Sequence, residues 1–218
     1  MIITQSPEVR AFIENKYSPL TEELGALRKL GEENKIPVIL KETEMLLKTV
    51  LLLKRPKRIV EIGTAIGYSA AFFSTLLPEA SIVSIEKDPE IARFAEENLR
   101  DFGFSRNIRI LVGDGEEGCR TLEKEGMNDA DFLFIDAAKS HYKRFLENAV
   151  PLLSENALIA SDNILQQGMT LEENPKHKHR TSIRAMRQYV DFLFKDPRFT
   201  SSLLSSGDGF ALSIYHKL

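Results

Sequence analysis

A single cysteine, Cys119, rules out an internal disulfide and agrees with a reducing compartment. It falls on a helical stretch, where a lone thiol is expected to be inert. No apolar run approaches the ~18 residues that a membrane span needs. Met1 to Arg10 have neither the basic start nor the apolar middle of a secretory leader. Cytoplasmic location with no membrane partner is therefore the expectation. An excess of either charge is lacking as well, with 29 Lys and Arg against 32 Asp and Glu. A net charge of −3 gives no global attraction for nucleic acid, so any basic site has to be local. Internal repeats and low-complexity segments are absent. What remains is ordinary globular material, 218 residues at 43% hydrophobic and 28% charged, enough to bury a core. We read residues 1–218 as one domain, with 1–35 as an N-terminal helical extension.

Helical segments are expected after Pro7 (Glu8 to Tyr17) and after Thr21 (Glu22 to Asn34). Ser6-Pro7 has the form of a cap followed by proline at the first helical position. Ile36 to Leu40 is extended, and Lys41 to Leu53 is a third helix. From Arg58 onward strands and helices alternate. The strands are Ile59–Ile62, Ser81–Ile85, Ile108–Val112, Phe132–Ile135 and Ala157–Ala160. The helices are Tyr68–Leu76, Pro89–Phe102, Glu116–Glu125, Tyr142–Leu152 and, after a long polar loop, Ser182–Phe194. Such alternation predicts an α/β fold, a mostly parallel sheet with helices on both faces. Phe199–Leu204, a Ser-Gly-Asp-Gly turn and Phe210–Tyr215 read as a hairpin, so the last strand should run antiparallel.

The chain is organised around Glu61-Ile62-Gly63-Thr64-Ala65-Ile66-Gly67-Tyr68-Ser69, a strand end, a tight turn and a helix start. Open α/β sheets hold ligands in the crevice at such carboxyl edges. The glycine spacing is not the G-x-G-x-x-G of dinucleotide sites, and no Lys-Ser/Thr follows to make a phosphate-cradling loop. Glu86 ends the second strand, placed to accept both ribose hydroxyls of an adenosine. Gly113-Asp114-Gly115 ends the third, where a carboxylate can take an adenine amino group. An adenosine ligand without pyrophosphate points to S-adenosylmethionine.

Asp136 follows the fourth strand, and Asp162-Asn163 follows the fifth. Two carboxylates and an amide oxygen form a hard donor set suited to Mg²⁺; the turns offer no nitrogen or sulfur ligands for zinc. The competing role for each aspartate is a helix cap. Lys139, three residues beyond Asp136, is a candidate base for a metal-bound hydroxyl; the alternative is a surface lysine at a helix start, which the helix dipole disfavours. His141 is a lesser candidate, and Tyr142 is expected to pack or hydrogen-bond near the turn. Further on, Lys176-His177-Lys178-His179-Arg180 precedes Arg184 and Arg187. If a helix begins at Arg180, the three arginines share one face that a phosphate backbone could dock on. A solvated face, or a dimer contact to Glu172 and Glu173, is the other reading.

Four segments together carry a resemblance: Glu61 to Ser69, Phe134-Ile-Asp-Ala-Ala-Lys139 with Tyr142, Asp162-Asn-Ile-Leu165, and Gly207-Asp-Gly209. From about Ile36 to the C-terminus the chain resembles the cation-dependent class I O-methyltransferases of the catechol and caffeoyl-CoA type. It is most similar to the bacterial branch that methylates 5-hydroxyuridine at the tRNA wobble position. The resemblance implies a Rossmann-like seven-stranded fold, and S-adenosylmethionine held around Ile39, Glu61, Gly63, Ser69, Glu86, Asp114, Gly115 and Asp136. It also implies Mg²⁺ or Mn²⁺ on Asp136, Asp162 and Asn163, Lys139 as base beside the reacting Asp136 centre, and a homodimer. On that basis tRNA phosphate would meet Lys178, Arg180, Arg184 and Arg187. The alternative substrate is a small catechol-like or caffeoyl-CoA-like molecule, since both substrate kinds offer two vicinal oxygens.

Overall fold

The computed structural model of the chain describes residues 6–217; Met1–Gln5, which open the segment read for a leader, and Leu218 lie outside it. Ser6 and Thr21 start the first two helices, their hydroxyls accepting from the N–H groups of Val9 and Leu24. These are α1, Pro7–Glu14, and α2, Glu22–Glu33. α1 stops short of Tyr17 because Lys16 and Tyr17 bond back only three residues, tightening the chain into a turn. α3, Lys41–Lys54, ends on Arg55 in the left-handed conformation.

The alternating part follows as β1 (Arg58–Ile62), α4 (Tyr68–Leu76), β2 (Ser81–Glu86), α5 (Pro89–Asp101), β3 (Ile108–Val112) and α6 (Gly115–Lys124). It continues as β4 (Ala130–Ile135), α7 (Tyr142–Ala149), β5 (Leu153–Asp162), α8 (Arg180–Lys195), β6 (Phe199–Leu204) and β7 (Phe210–Tyr215). The sheet has seven strands in the order β3-β2-β1-β4-β5-β7-β6. β7 alone runs against the rest, pairing antiparallel with both β5 and β6, as the hairpin reading expects.

Two clear differences from the expected boundaries lie at the end of α7 and the start of β5. α7 ends at Ala149, and Val150–Leu152 continues as a 3-10 turn, because Pro151 has no N–H to give and its ring crowds the preceding turn. β5 then starts at Leu153, opposite Ala130, with an irregularity before the regular ladder from Leu158. Asn156, at φ 59°, makes that bend.

Side chains of each strand alternate between two cores. Val60, Ile62, Val83, Ile85, Leu133 and Ile135 pack under α6, α7 and α8. Ile59, Ile82, Phe132 and Phe134 pack under α2, α3, α4 and α5. Phe73 stands edge-on to both Phe132 and Phe134, with ring centroids 5.5 Å apart in each case. Cys119 is enclosed in the first core, where burial pushes its thiol up to about 12, so it stays protonated and unreactive. No helix among the described residues is long and apolar enough to cross a membrane.

The N-terminal segment is fastened by a buried polar cluster. Arg28 on α2 donates to Glu44 on α3 at 2.5 Å, and both side chains are out of water, at 6% and 3% exposure. Tyr68 donates to Glu44 at 2.6 Å, Tyr17 does so at 3.1 Å, and Arg28 Nε donates to both tyrosine oxygens. Each buried charge is compensated only while its partners remain. Glu44→Ala should therefore cost about 3–5 kcal/mol in urea unfolding. The joint replacement Arg28→Met with Glu44→Leu should recover most of that loss, since no charge is then stranded. If both variants are equally destabilised, the cluster holds by shape and not by charge.

Candidate active site

In the strand order the sheet reverses between β1 and β4, and the turns that leave these two strands are packed together. Asp136 N–H donates to the Ile62 carbonyl at 3.0 Å. Gly63 has φ 104°, and a Cβ there would stand 2.1 Å from the Asp136 carbonyl oxygen, so only glycine lets the two turns meet. Gly67, at φ 84°, faces something else. Its missing Cβ would lie 3.1 Å from Leu99 on α5, so backbone conformation and helix packing both ask for glycine there. Such a reversal point at the carboxyl edge is where this architecture keeps a ligand crevice.

Around that crevice the residues read as adenosyl-binding sit as follows. Glu61 is fully enclosed on β1; Ser69 donates to its Oε1, and the Ser84 hydroxyl to its Oε2 at 2.5 Å. Burial is the main cause that raises its carboxyl to about 8, with the charges of Asp136 and Glu86 adding to it. Glu86 is buried at the end of β2, and its Oε2 accepts from the Thr64 and Ala65 N–H groups at 3.2 Å each. It thus grips the glycine turn itself, a link that strand-by-strand reading misses. Asp114 caps α6 by accepting from Glu116 N–H at 3.0 Å, and Gly115 beside it is buried. Ile39 is buried in the second core, in the extended stretch before α3.

The acidic residues meet around one ammonium. Lys139 Nζ donates to Asp136 Oδ1 at 2.9 Å, to Asn163 Oδ1 at 2.7 Å and to the Tyr142 hydroxyl at 2.8 Å. Tyr142 in turn donates to the Asp162 carbonyl at 3.0 Å. The sequence expectation of a hydrogen bond near this turn is met, and the tyrosine links the ends of β4 and β5. Asp162 Oδ1 accepts from the Asn163 N–H, while its Oδ2 is enclosed with no hydrogen-bond partner among the described residues. Burial, then the nearby Asp136 charge, pushes the Asp162 carboxyl up to about 7. Asp208, in the turn before β7, lies close enough to feel Lys139 and Asp136, and burial raises its carboxyl as well.

The fit for a divalent ion rests on these atoms. An unpartnered buried carboxylate oxygen, a second carboxylate and an amide oxygen are the hard donors that Mg²⁺ or Mn²⁺ takes. Among the described residues no three His, Cys, Asp or Glu side chains converge as a metal-holding group; the third donor here is an amide. His141 is half-buried, bonded to Arg144, with its ring tilted at 5.7 Å from that of Phe145.

α8 does begin at Arg180, so Arg180, Arg184 and Arg187 follow one another along one side of it. Arg180, Arg184 and Lys178 are exposed. Arg187 is engaged elsewhere: Nε donates to the Thr170 carbonyl at 2.7 Å and Nη2 to that of Glu172. It staples the loop that leads from Asn163 through these two bonds.

Fold and site together define a Rossmann-like α/β protein whose acidic strand ends gather beside the β1/β4 reversal. The O-methyltransferase family model matches residues 15–216. A solved Staphylococcus aureus protein assigned as a caffeoyl-CoA O-methyltransferase superposes with a TM-score of 0.81, at 32% identity over 89% of this chain and 93% of that one. O-methyltransferase imqG of Aspergillus flavus is 32% identical, over 72% of this chain and 67% of its own. Catechol O-methyltransferase of Niastella koreensis is 28% identical, over 77% of each chain. The chain belongs to the O-methyltransferase family.

The raised Glu61 carboxyl has a consequence for the ligand-free protein. A carboxyl whose folded pKa lies above its unfolded value binds its proton more tightly when folded, so its contribution to stability is lost as pH climbs. The window runs from the ordinary 4.5 up to about 8. Wild type should lose stability between pH 5 and pH 8 by about 2 kcal/mol or more relative to Glu61→Gln, measured by urea unfolding at both pH values. Equal losses in the two proteins would show that Glu61 ionises freely.

Proposed function

We propose that this enzyme moves a methyl group from S-adenosylmethionine to the 5-hydroxyl of 5-hydroxyuridine at the tRNA wobble position, giving 5-methoxyuridine, with Mg²⁺ or Mn²⁺ held by Asp136, Asp162 and Asn163. The observation that supports a nucleic-acid substrate is the basic start of α8. There exposed Arg180 and Arg184 follow Lys176 and Lys178, on the segment that leads directly from the Asn163 loop. Arg184 has no ion-pair partner among the described residues. In this proposal Lys178, Arg180 and Arg184 meet phosphate, and Arg187 shapes the loop beneath them.

When bound, S-adenosylmethionine supplies a methyl on a sulfonium, and the divalent ion favours the ionised form of a hydroxyl that it binds. The chain's own groups do the rest. Glu86 and Asp114 would hold the adenosine; in this structure Glu86 fixes the turn at Thr64 and Ala65, and Asp114 caps α6. Lys139 Nζ is the group that would accept the substrate hydroxyl proton, and the Tyr142 hydroxyl, 2.8 Å from it, would fix the lysine in position. Transfer joins a cation to an oxygen anion, so charge disappears on reaching the transition state. Correct aim and little water favour that step.

The names of the relatives support a second substrate, a small catechol-like or caffeoyl-CoA-like molecule, through the same chemistry. A homodimer is part of the proposal; Val9 and Phe12 on α1, exposed at 49% and 66%, are apolar surface that a second copy would cover.

Two experiments follow: the first tests the chemistry that both readings share, and the second separates the two substrates. EDTA, Asp162→Ala and Lys139→Ala should each lower methyl transfer by about a hundredfold or more, as removal of a metal donor or a base does. Unchanged transfer in all three cases would remove the metal-assisted mechanism. Arg180→Ala with Arg184→Ala should weaken activity on tRNA by about tenfold or more and flatten its salt dependence by about two phosphate contacts. Activity on a small catechol should change little. Loss of both activities alike would count against the tRNA reading.

A further inference from the structure

The loop after β5 leaves the strand in a conformation that side chains resist. Asn163, Gln166 and Gln167 have φ of 56°, 48° and 56°, left-handed values that residues with a Cβ hold only where their surroundings enforce them. Asn163 carries one of the proposed metal-donor oxygens, so the aim of that oxygen depends on this backbone.

The enforcing element is the turn between β6 and β7. Ile164 N–H donates to the Gly209 carbonyl and Leu165 N–H to the Asp208 carbonyl, both at 3.0 Å. The Asp208 side chain reaches past these two bonds, and its Oδ1 accepts from the N–H of Gln167. Gly209 lets the segments close on each other. It has φ 82°, and a Cβ there would stand 2.3 Å from Leu165 Cγ. At the far end Arg187 holds the Thr170 and Glu172 carbonyls, so the loop is fixed from both sides.

We propose that Asp208 is a positioning residue: its acceptor oxygen holds the Asn163–Gln167 turn in the left-handed form and so aims the Asn163 amide. The catalytic consequence rests on the metal reading above, whereas the hold on the turn does not. Three variants test it: Asp208→Ala, Asp208→Asn and Gly209→Ala. Hydrogen–deuterium exchange is followed on peptides over residues 163–169 in metal-free protein, and Mn²⁺ binding is measured separately by electron paramagnetic resonance.

Asp208→Ala should speed exchange over 163–169 by about tenfold or more, the scale of a lost charge-assisted hydrogen bond, while β1 peptides stay as in wild type. Asp208→Asn keeps the acceptor and should stay within about threefold of wild type. Gly209→Ala, which breaks the same junction from the backbone side, should speed the same peptides. Mn²⁺ affinity should fall by about tenfold in Asp208→Ala and be largely restored in Asp208→Asn, with kcat affected and the KM for S-adenosylmethionine unchanged. Exchange in Asp208→Ala within about twofold of wild type would overturn the proposal, as would Asp208→Asn behaving like Asp208→Ala. If wild type binds no Mn²⁺, the metal reading fails and the exchange measurement alone decides the role of Asp208.

Discussion

The ammonium of Lys139, bonded at once to Asp136, Asn163 and Tyr142, is the interaction on which the rest of this site depends. Strand ends of a parallel sheet bring acidic side chains to a common edge, and at short range such groups repel one another. The effect is visible in Asp162, raised to about 7 by burial and by Asp136. One positive charge on Lys139 offsets part of this, yet among the described residues Asp162 Oδ2 has no partner. A cluster that remains short of positive charge and of donors, and is built wholly of oxygen atoms, suits a divalent cation. In that reading Lys139 has two roles. Here it bridges the donors; a bound ion would take over those donors and leave the lysine to handle a proton.

Everything larger serves to bring those side chains together. The two cores fix the sheet from both faces, and the missing Cβ of Gly63 lets the β1 and β4 turns meet. Glu86 fastens the glycine turn from the end of β2. The Arg28–Glu44 pair reaches Tyr68, the first residue of α4, and so ties the N-terminal helices to the same turn. The β6–β7 turn then closes over the loop from Asn163. The antiparallel last strand thus has a local use as well as a topological one.

Most of the sheet was legible because its signals are local. Alternating strand and helix patterns, Ser6 as a cap, and a hairpin turn at Gly207-Asp208-Gly209 need only neighbouring residues to be read. Acids at strand ends were equally visible, since topology alone sends those ends to one edge. Bonds between distant segments were not. Nothing near Glu44 announces Arg28, and nothing near Asp208 announces Gln167, because these partners are brought together only by the finished fold. Arg187 shows the same limit. Its spacing from Arg180 and Arg184 implied a shared role, yet its guanidinium bonds to loop carbonyls instead. Gly67 was visible as a glycine, but one reason for it, Leu99, lies on another helix.

The central claim is that the oxygen cluster around Lys139 is a divalent-cation site. Anomalous diffraction from crystals grown with Mn²⁺ tests it most directly. A single strong peak about 2.1 Å from oxygens of Asp136, Asp162 and Asn163, with the lysine ammonium withdrawn from Asn163, is the predicted result. A structure at the same Mn²⁺ concentration with no peak there and Lys139 still bridging Asp136 and Asn163 would contradict it.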